Sequence, residues 1–500
     1  MNRRDLLLLC FLALLIGGVI STQLGHPGYT DAFYYFNAGK NLAVGRGLTD
    51  DALWTFIGEP ATLPAPSHLY WMPMPSIIAG VSMSLWGASF KGAQVLFIPF
   101  YAGLVGLTYW LTIRLGGSRR SAWIASLCAL GSGYFLPYWF TTETFSPYGL
   151  LGAGALIGIG LGRATGKVRF FGLAGTLCGL AHLTRNDGLL LIVCLMGAAL
   201  CPGLPGARSR RAAFIGLAAY LLVMLPWFGR MMQVSGAILP AGGLETAWMR
   251  SYDEIANYPP EIAFSDFWAW GLDNIVRSRL EALILNGQTF LLVEGMILFA
   301  PLMLVALWQR RRDPMLSGFW LYMPALHITM TVVFPFPGTR GGLFHSAAAL
   351  LPFWMALGVL GLEGVIAWAA KKRRWRANEA KLIFSSLALL WIGYLSLSVT
   401  LGKINAWGGT LYAELKLPPD AVVMVNDPSA VYYFKGLRGV VLPNAAPAAI
   451  PEIARRYGVT HVVVDAGRTP PMEDLWRGVS LPNFLEPLVS TIQYRVYRIK

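Results

Sequence analysis

Apolar runs alternate with short polar stretches along most of the chain, and the runs have the length a bilayer requires. A helix needs about 20 apolar residues to cross the hydrocarbon core. The first such run extends from Leu6 to Ile20, and others recur as far as residue 401. The pattern predicts transmembrane helices over 5–24, 91–114, 121–137, 146–163, 168–184, 187–202, 211–230, 289–308, 315–335, 345–370 and 381–401, about eleven in all. A shorter stretch, 73–87, is rich in Met and Pro and reads as interfacial. The expected fold is an α-helical polytopic membrane protein.

The pattern changes after residue 401. Val422 to Val425, Gly439 to Leu442 and His461 to Val464 read as short strands, and Pro447 to Tyr457 as an amphipathic helix between two of them. That alternation predicts a small α/β domain over 402–500. The remaining 1–401 forms the transmembrane domain, with a first outer loop over 25–90 and a second over 231–288. The second loop mixes Trp, Tyr and charges, with helical periodicity from Asn274 to Leu285, as suits a membrane boundary.

Composition agrees. Of 500 residues, 55% are hydrophobic and 13% charged, against about 25% charged in a soluble domain. The mean hydropathy is +0.52. A net charge of +14 raises the question of nucleic acid, but the basic residues sit in short clusters between apolar runs. Arg114 to Arg120, Arg163 to Arg169, Arg208 to Arg211, Arg310 to Arg312 and Lys371 to Arg376 all fall on one side if 73–87 does not cross. The positive-inside rule makes that side cytoplasmic. The N-terminus, Met-Asn-Arg-Arg-Asp, then lies inside as the basic end of an uncleaved first helix, and the tail domain lies outside. Cys10, Cys128, Cys178, Cys194 and Cys201 sit in or beside apolar runs, without metal-ligand spacing or a disulfide framework.

Five polar groups fall on the outer side. Asp31, in Tyr29-Thr30-Asp31-Ala32-Phe33-Tyr34-Tyr35, fits either an N-cap for a helix over 32–43 or a general base for a hydroxyl acceptor. Glu143, in Thr141-Thr142-Glu143-Thr144, stands at a helix start, where the macrodipole favours a carboxylate. Arg185 and Asp187, in Arg185-Asn186-Asp187-Gly188, fit a mutual pair or an Arg facing an anion. Arg340 and His345 flank Gly341-Gly342, a sequence suited to a phosphate at a helix start. His68 lies in a Pro-rich segment beside Tyr70 and Trp71, which fits an interfacial belt or a phosphate contact.

An outer Asp just after the first helix, a Pro-rich Tyr-Trp segment and an Arg-x-Asp-Gly between later helices resemble the GT-C superfamily of membrane glycosyltransferases. The likeness is greatest to bacterial protein-mannosyltransferase and aminoarabinose-transferase types and covers about 1–370. It implies sugar transfer from a polyprenyl-phosphate donor to a glycan, lipid or protein acceptor at the periplasmic face of a bacterial inner membrane. Asp31 would then be the base and Glu143 a second acid. Tyr34, Tyr35, Tyr70, Asp187 and His345 would contact substrate, and Arg340, Arg185 and His68 would lie near the lipid phosphate. No cofactor is implied beyond the donor itself. Ala32 follows Asp31 where many relatives carry a second acid, which argues against a metal bridged by adjacent carboxylates. Ser67-His68 stand where the aminoarabinose-transferase type has a Lys.

Two other classes compete. A transporter or flippase for a lipid-linked substrate would show internal repeats and polar residues near the midplane. The sequence shows no clear repeat, and its polar groups sit at the boundary. An assembly protein binding a partner through its tail is the third reading.

Overall fold

The computed structural model describes residues 2–201, 203–240, 242–408 and 411–500. The chain forms two compact units, each gathered from separated segments. A helical unit holds Met1–Leu24, Gln94–Trp227 and Ser278–Ala406. A sheet-bearing unit holds Gly25–Ala93, Phe228–Arg277 and Trp407–Lys500. The tail strands therefore share a unit with both long interhelical segments, instead of standing apart after residue 401.

Seven helices among the described residues are long and apolar enough to cross a membrane: Arg3–Gln23, Phe90–Arg114, Phe145–Thr165, Gly206–Ser235, Pro314–Val333, Pro335–Arg373 and one starting at Ala377. Shorter apolar helices span Met74–Trp86, Val168–Thr184, Asn186–Leu200 and Ala300–Gln309. The protein is a multi-pass membrane protein. The first helix shows why its sequence needs lipid: Leu7, Phe11 and Leu15 are 70%, 61% and 55% exposed, while Leu9 and Ala13 on another face are fully buried. Contact between Val168–Thr184 and Gly206–Ser235 is backbone-close. A Cβ on Gly175 would come within 2.0 Å of the Gly216 carbonyl oxygen. Small residues permit this approach where lipid supplies no hydrophobic drive.

Two expected spans are broken. The segment 121–137 is helical only as Arg119–Gly131, capped by a Ser118–Ser121 box. Ser132 then turns left-handed, and a 3₁₀ stretch, Gly133–Phe140, follows with Pro137 inside it. Glycine on both sides of Ser132 gives the backbone that freedom, and Pro137 lacks the N–H an α-helix would use. The segment 289–308 is interrupted by a π-turn, Phe290–Glu294, with Met296 and Ile297 left-handed, before Ala300–Gln309 resumes. Glu294 in that turn is buried and accepts from Trp354 Nε1 at 2.8 Å and pairs with His327 Nε2 at 2.9 Å.

In the sheet-bearing unit, six strands lie in the order Ala52–Leu53, Gly439–Val441, Val423–Val425, His461–Asp465, Tyr494–Ile499, Leu485–Ser490. The first four are parallel, and the last two add an antiparallel hairpin. Val423 pairs with Gly439 on one side and His461 on the other. Val423, Val425, Val431, Val463 and Val496 form the core beneath it. The amphipathic helix Ile450–Tyr457 buries Ile450, Ile453, Ala454 and Tyr457 on one face. Spacings of three and four place those side chains together.

Candidate active site

The helical unit gathers four of the expected residues. Glu143 stands one residue before Thr144, the N-cap of the helix Phe145–Thr165, and is 1% exposed. One oxygen accepts from the Thr144 hydroxyl at 2.7 Å, and the other lies 3.4 Å from His345 Nε2. The His345 ring stacks on Phe145 with centroids 4.3 Å apart. Its Nδ1 stands 2.6 Å from the Gly341 carbonyl, so that nitrogen carries the hydrogen and Nε2 is turned toward the carboxylate. Burial alone would raise the Glu143 carboxyl. The charges of His345 and Arg185 outweigh burial and hold it below its ordinary value.

Arg185 closes the group. Its Nε donates to Asp187 Oδ1 and to Ser346 Oγ, each at 2.9 Å. Its two terminal nitrogens reach Thr144 Oγ1 at 3.4 Å and the Gly342 carbonyl at 3.5 Å. Ser346 in turn donates to Asp187 Oδ2. The expected Arg185–Asp187 pair is present, and it is also joined to the Gly342 and Ser346 segment. Ser346 and Thr144 are the members that sequence reading passed over. Both lie beside named residues, but a lone hydroxyl gives no pattern to find.

Gly338–Gly342 forms a π-turn, and Arg340 and Gly341 depart from helical geometry within it. Gly341 has φ +121°, and a Cβ there would lie 3.1 Å from His345 Cε1. The glycine is required by both the backbone and its neighbour. The same break turns Arg340 to the surface, where it is exposed.

In the sheet-bearing unit, Asp31 is half-buried in the first turn of the helix Thr30–Ala43. The N-cap position is Tyr29, so the helix begins one residue before the carboxylate and Asp31 falls inside its first turn. Tyr34 and Tyr35, one turn on, are 3% and 2% exposed. Tyr34 Oη accepts from the His68 backbone N–H at 2.7 Å. Trp71 packs across both tyrosines, at 4.9 Å from Tyr34 and 5.7 Å from Tyr35.

His68 has a different place from the phosphate contact expected of it. The ring is fully buried, with Nδ1 at 2.7 Å from Ser67 Oγ and Nε2 at 3.0 Å from Ser76 Oγ. Burial, with the nearby Arg230 charge, pushes its pKa down to about 3, so the ring is neutral near pH 7. A neutral ring between two hydroxyls supplies no cation for a phosphate. It ties the 67–68 turn to the helix Met74–Trp86.

Tyr34 and Tyr70 line a small cleft with Asp50, Trp54, Thr55 and Ile57. Asp50 was not among the expected residues. Its Oδ1 accepts from the Ala52 N–H at 3.0 Å. Burial, with Asp51 beside it, raises its carboxyl to about 8. A neutral carboxyl can both donate and accept, which suits hydroxyl partners.

No family model and no curated protein matches the chain. Solved structures do. ArnT from Cupriavidus metallidurans bound to undecaprenyl phosphate aligns with 13% identity over 100% of this chain and 98% of that one, with a TM-score of 0.59. The archaeal oligosaccharyltransferase AglB from Archaeoglobus fulgidus, in complex with an inhibitory peptide and a dolichol-phosphate, aligns with 12% identity over 93% of this chain and 70% of that one, at 0.56. The chain therefore shares the fold of these two solved structures. The likeness to ArnT extends over essentially the whole of both chains.

Proposed function

We propose that the chain is an integral-membrane glycosyltransferase that moves a sugar from a polyprenyl-phosphate carrier to a hydroxyl-bearing acceptor at the periplasmic face of a bacterial inner membrane. The observation that carries this reading is the end-to-end fold likeness to a protein solved with undecaprenyl phosphate bound. Asp31 is the general base, half-buried at the start of a helix whose dipole favours its ionised form. It takes the acceptor proton as the acceptor oxygen attacks the anomeric carbon. The bond from that carbon to the phosphate oxygen breaks, and the lipid phosphate leaves with the electron pair. Arg340 and the Arg185 group supply positive charge for that leaving group. Glu143 holds His345 and Arg185 in place and is the second acid of the site. Tyr34, Tyr70 and Asp50 offer a surface for sugar hydroxyls.

The test uses purified protein in lipid nanodiscs, a panel of polyprenyl-phosphate sugars labelled in the sugar, and a cell-envelope extract as acceptor. The expected result is label in the extract with release of an equal amount of polyprenyl phosphate. Folded protein that moves labelled lipid between leaflets of vesicles, without breaking the sugar–phosphate bond, would establish transport instead.

A further inference from the structure

We propose that Asp427, in the tail, is a positioning residue for Asp31. The inference rests on the reading of Asp31 as the base. Asp427 follows the strand Val423–Val425 and is 7% exposed. One carboxylate oxygen caps the helix Pro428–Lys435, accepting from the Ala430 N–H at 2.9 Å. The other accepts from the Thr30 hydroxyl at 2.7 Å. Thr30 is the first residue of the helix that carries Asp31, and the N-cap residue of that helix, Tyr29, makes no side-chain cap bond. One buried carboxylate thus ties together two helix starts, and Asp31 is the next residue along.

Further contacts join the two helices. Asn37 Nδ2 donates to the Ser429 carbonyl at 2.8 Å, with both residues buried. Phe33 meets Tyr433 at 5.1 Å and Phe434 at 5.6 Å, and Phe36 meets Tyr433 at 5.1 Å. Beyond the helix end, Arg46 Nη1 donates to Tyr432 Oη at 3.0 Å. These apolar contacts hold the helix against the tail, and the Thr30–Asp427 bond fixes its first turn. A base must be placed to within a fraction of an ångström, and a misplacement of about 1 Å can cost about 100-fold in rate. The tail domain acts on the reaction through this bond.

Thr30→Val removes the hydroxyl and keeps the shape, whereas Thr30→Ser keeps the hydroxyl. Asp427→Asn retains an oxygen for the Ala430 cap and turns an N–H toward Thr30. Each is assayed for sugar transfer beside Asp31→Asn, with thermal unfolding measured on the same samples. The expected result is a kcat reduced about tenfold in Thr30→Val and Asp427→Asn, with donor KM within about twofold of wild type. Thr30→Ser should stay near wild type, and the Thr30→Val/Asp427→Asn double variant should be no slower than the slower single. Wild-type kcat in Thr30→Val, or losses that add in the double variant and follow the melting temperature, would overturn the inference. Undiminished transfer by Asp31→Asn would instead remove the base assignment on which it rests.

Discussion

Arg185 donates to Asp187, Ser346, Thr144 and the Gly342 carbonyl, and this environment sets what its loss should do. Its side chain is 16% exposed and that of Asp187 is 12% exposed. Removing one partner of a buried pair costs about 3–5 kcal/mol, because the other charge is stranded. Arg185→Met should lower the melting temperature and abolish transfer. Arg185→Lys keeps the charge but loses the fork that reaches Asp187, Ser346, Thr144 and Gly342, so it should fold nearly as well and transfer poorly. Thermal unfolding in detergent and transfer rate, measured on the same preparation, separate the two effects. The Arg185–Asp187 pair was legible in the sequence because its members are two residues apart. The approach of His345 to Glu143 was not, because only the tertiary fold brings them to 3.4 Å.

Asp50 gives a pH prediction at the same scale. Its carboxyl titrates near 8 in the folded protein, against about 3.9 in an unfolded chain. Between those values the folded state holds a proton that the unfolded state has released. Stability therefore falls as pH rises from about 4 to about 8. Asp427, raised to about 6 by burial, acts in the same direction. Asp50→Asn should flatten the decline in melting temperature between pH 5 and pH 8, roughly the span of this titration. An unchanged slope would place the titrating group elsewhere.

At the scale of the element, helix breaks carry more of the site than helix bodies do. Gly341 shows the cost of removing one. Gly341→Ala forces a left-handed Cβ against the His345 ring. The backbone strain is of order 1–3 kcal/mol. Transfer should fall further than stability does, since His345 must move from Glu143, and a melt beside a rate measurement reads both. Ser118→Ala is the contrast. It removes a capping box far from these residues in sequence and should cost about 1 kcal/mol of stability with little change in transfer.

Tail elements were legible where periodicity was local. Val423–Val425, Gly439–Val441 and His461–Asp465 form within a residue of the expected strands, and each is fully or nearly fully buried, so an unbroken Val run suffices as the signal. The hairpin Leu485–Ser490 with Tyr494–Ile499 was missed. Pro487 and a register shift between Pro487 and Val489 interrupt the alternation, and much of the first strand is exposed. The two-residue strand Ala52–Leu53 could not be read locally, because its strand partner among the described residues is the distant Gly439–Val440.

At the scale of the whole molecule, membrane character was written in run length and composition, and the structure repeats it helix by helix. The assembly of the units was not. Sequence order separates residues 25–93 from the tail, whereas the fold joins them through the edge strand and the Thr30–Asp427 bond. A linear reading assigns a boundary where hydropathy changes, and it has no means to detect a sheet completed from another segment.

The central claim is sugar transfer driven by Asp31, and one comparison tests it most directly. Wild type and Asp31→Asn are reconstituted at equal folded amounts, and single-turnover transfer from a labelled polyprenyl-phosphate sugar is followed. Removal of a general base costs about 100- to 10,000-fold. The account predicts a loss in that range for Asp31→Asn, with donor binding retained. Equal transfer by both proteins would contradict it.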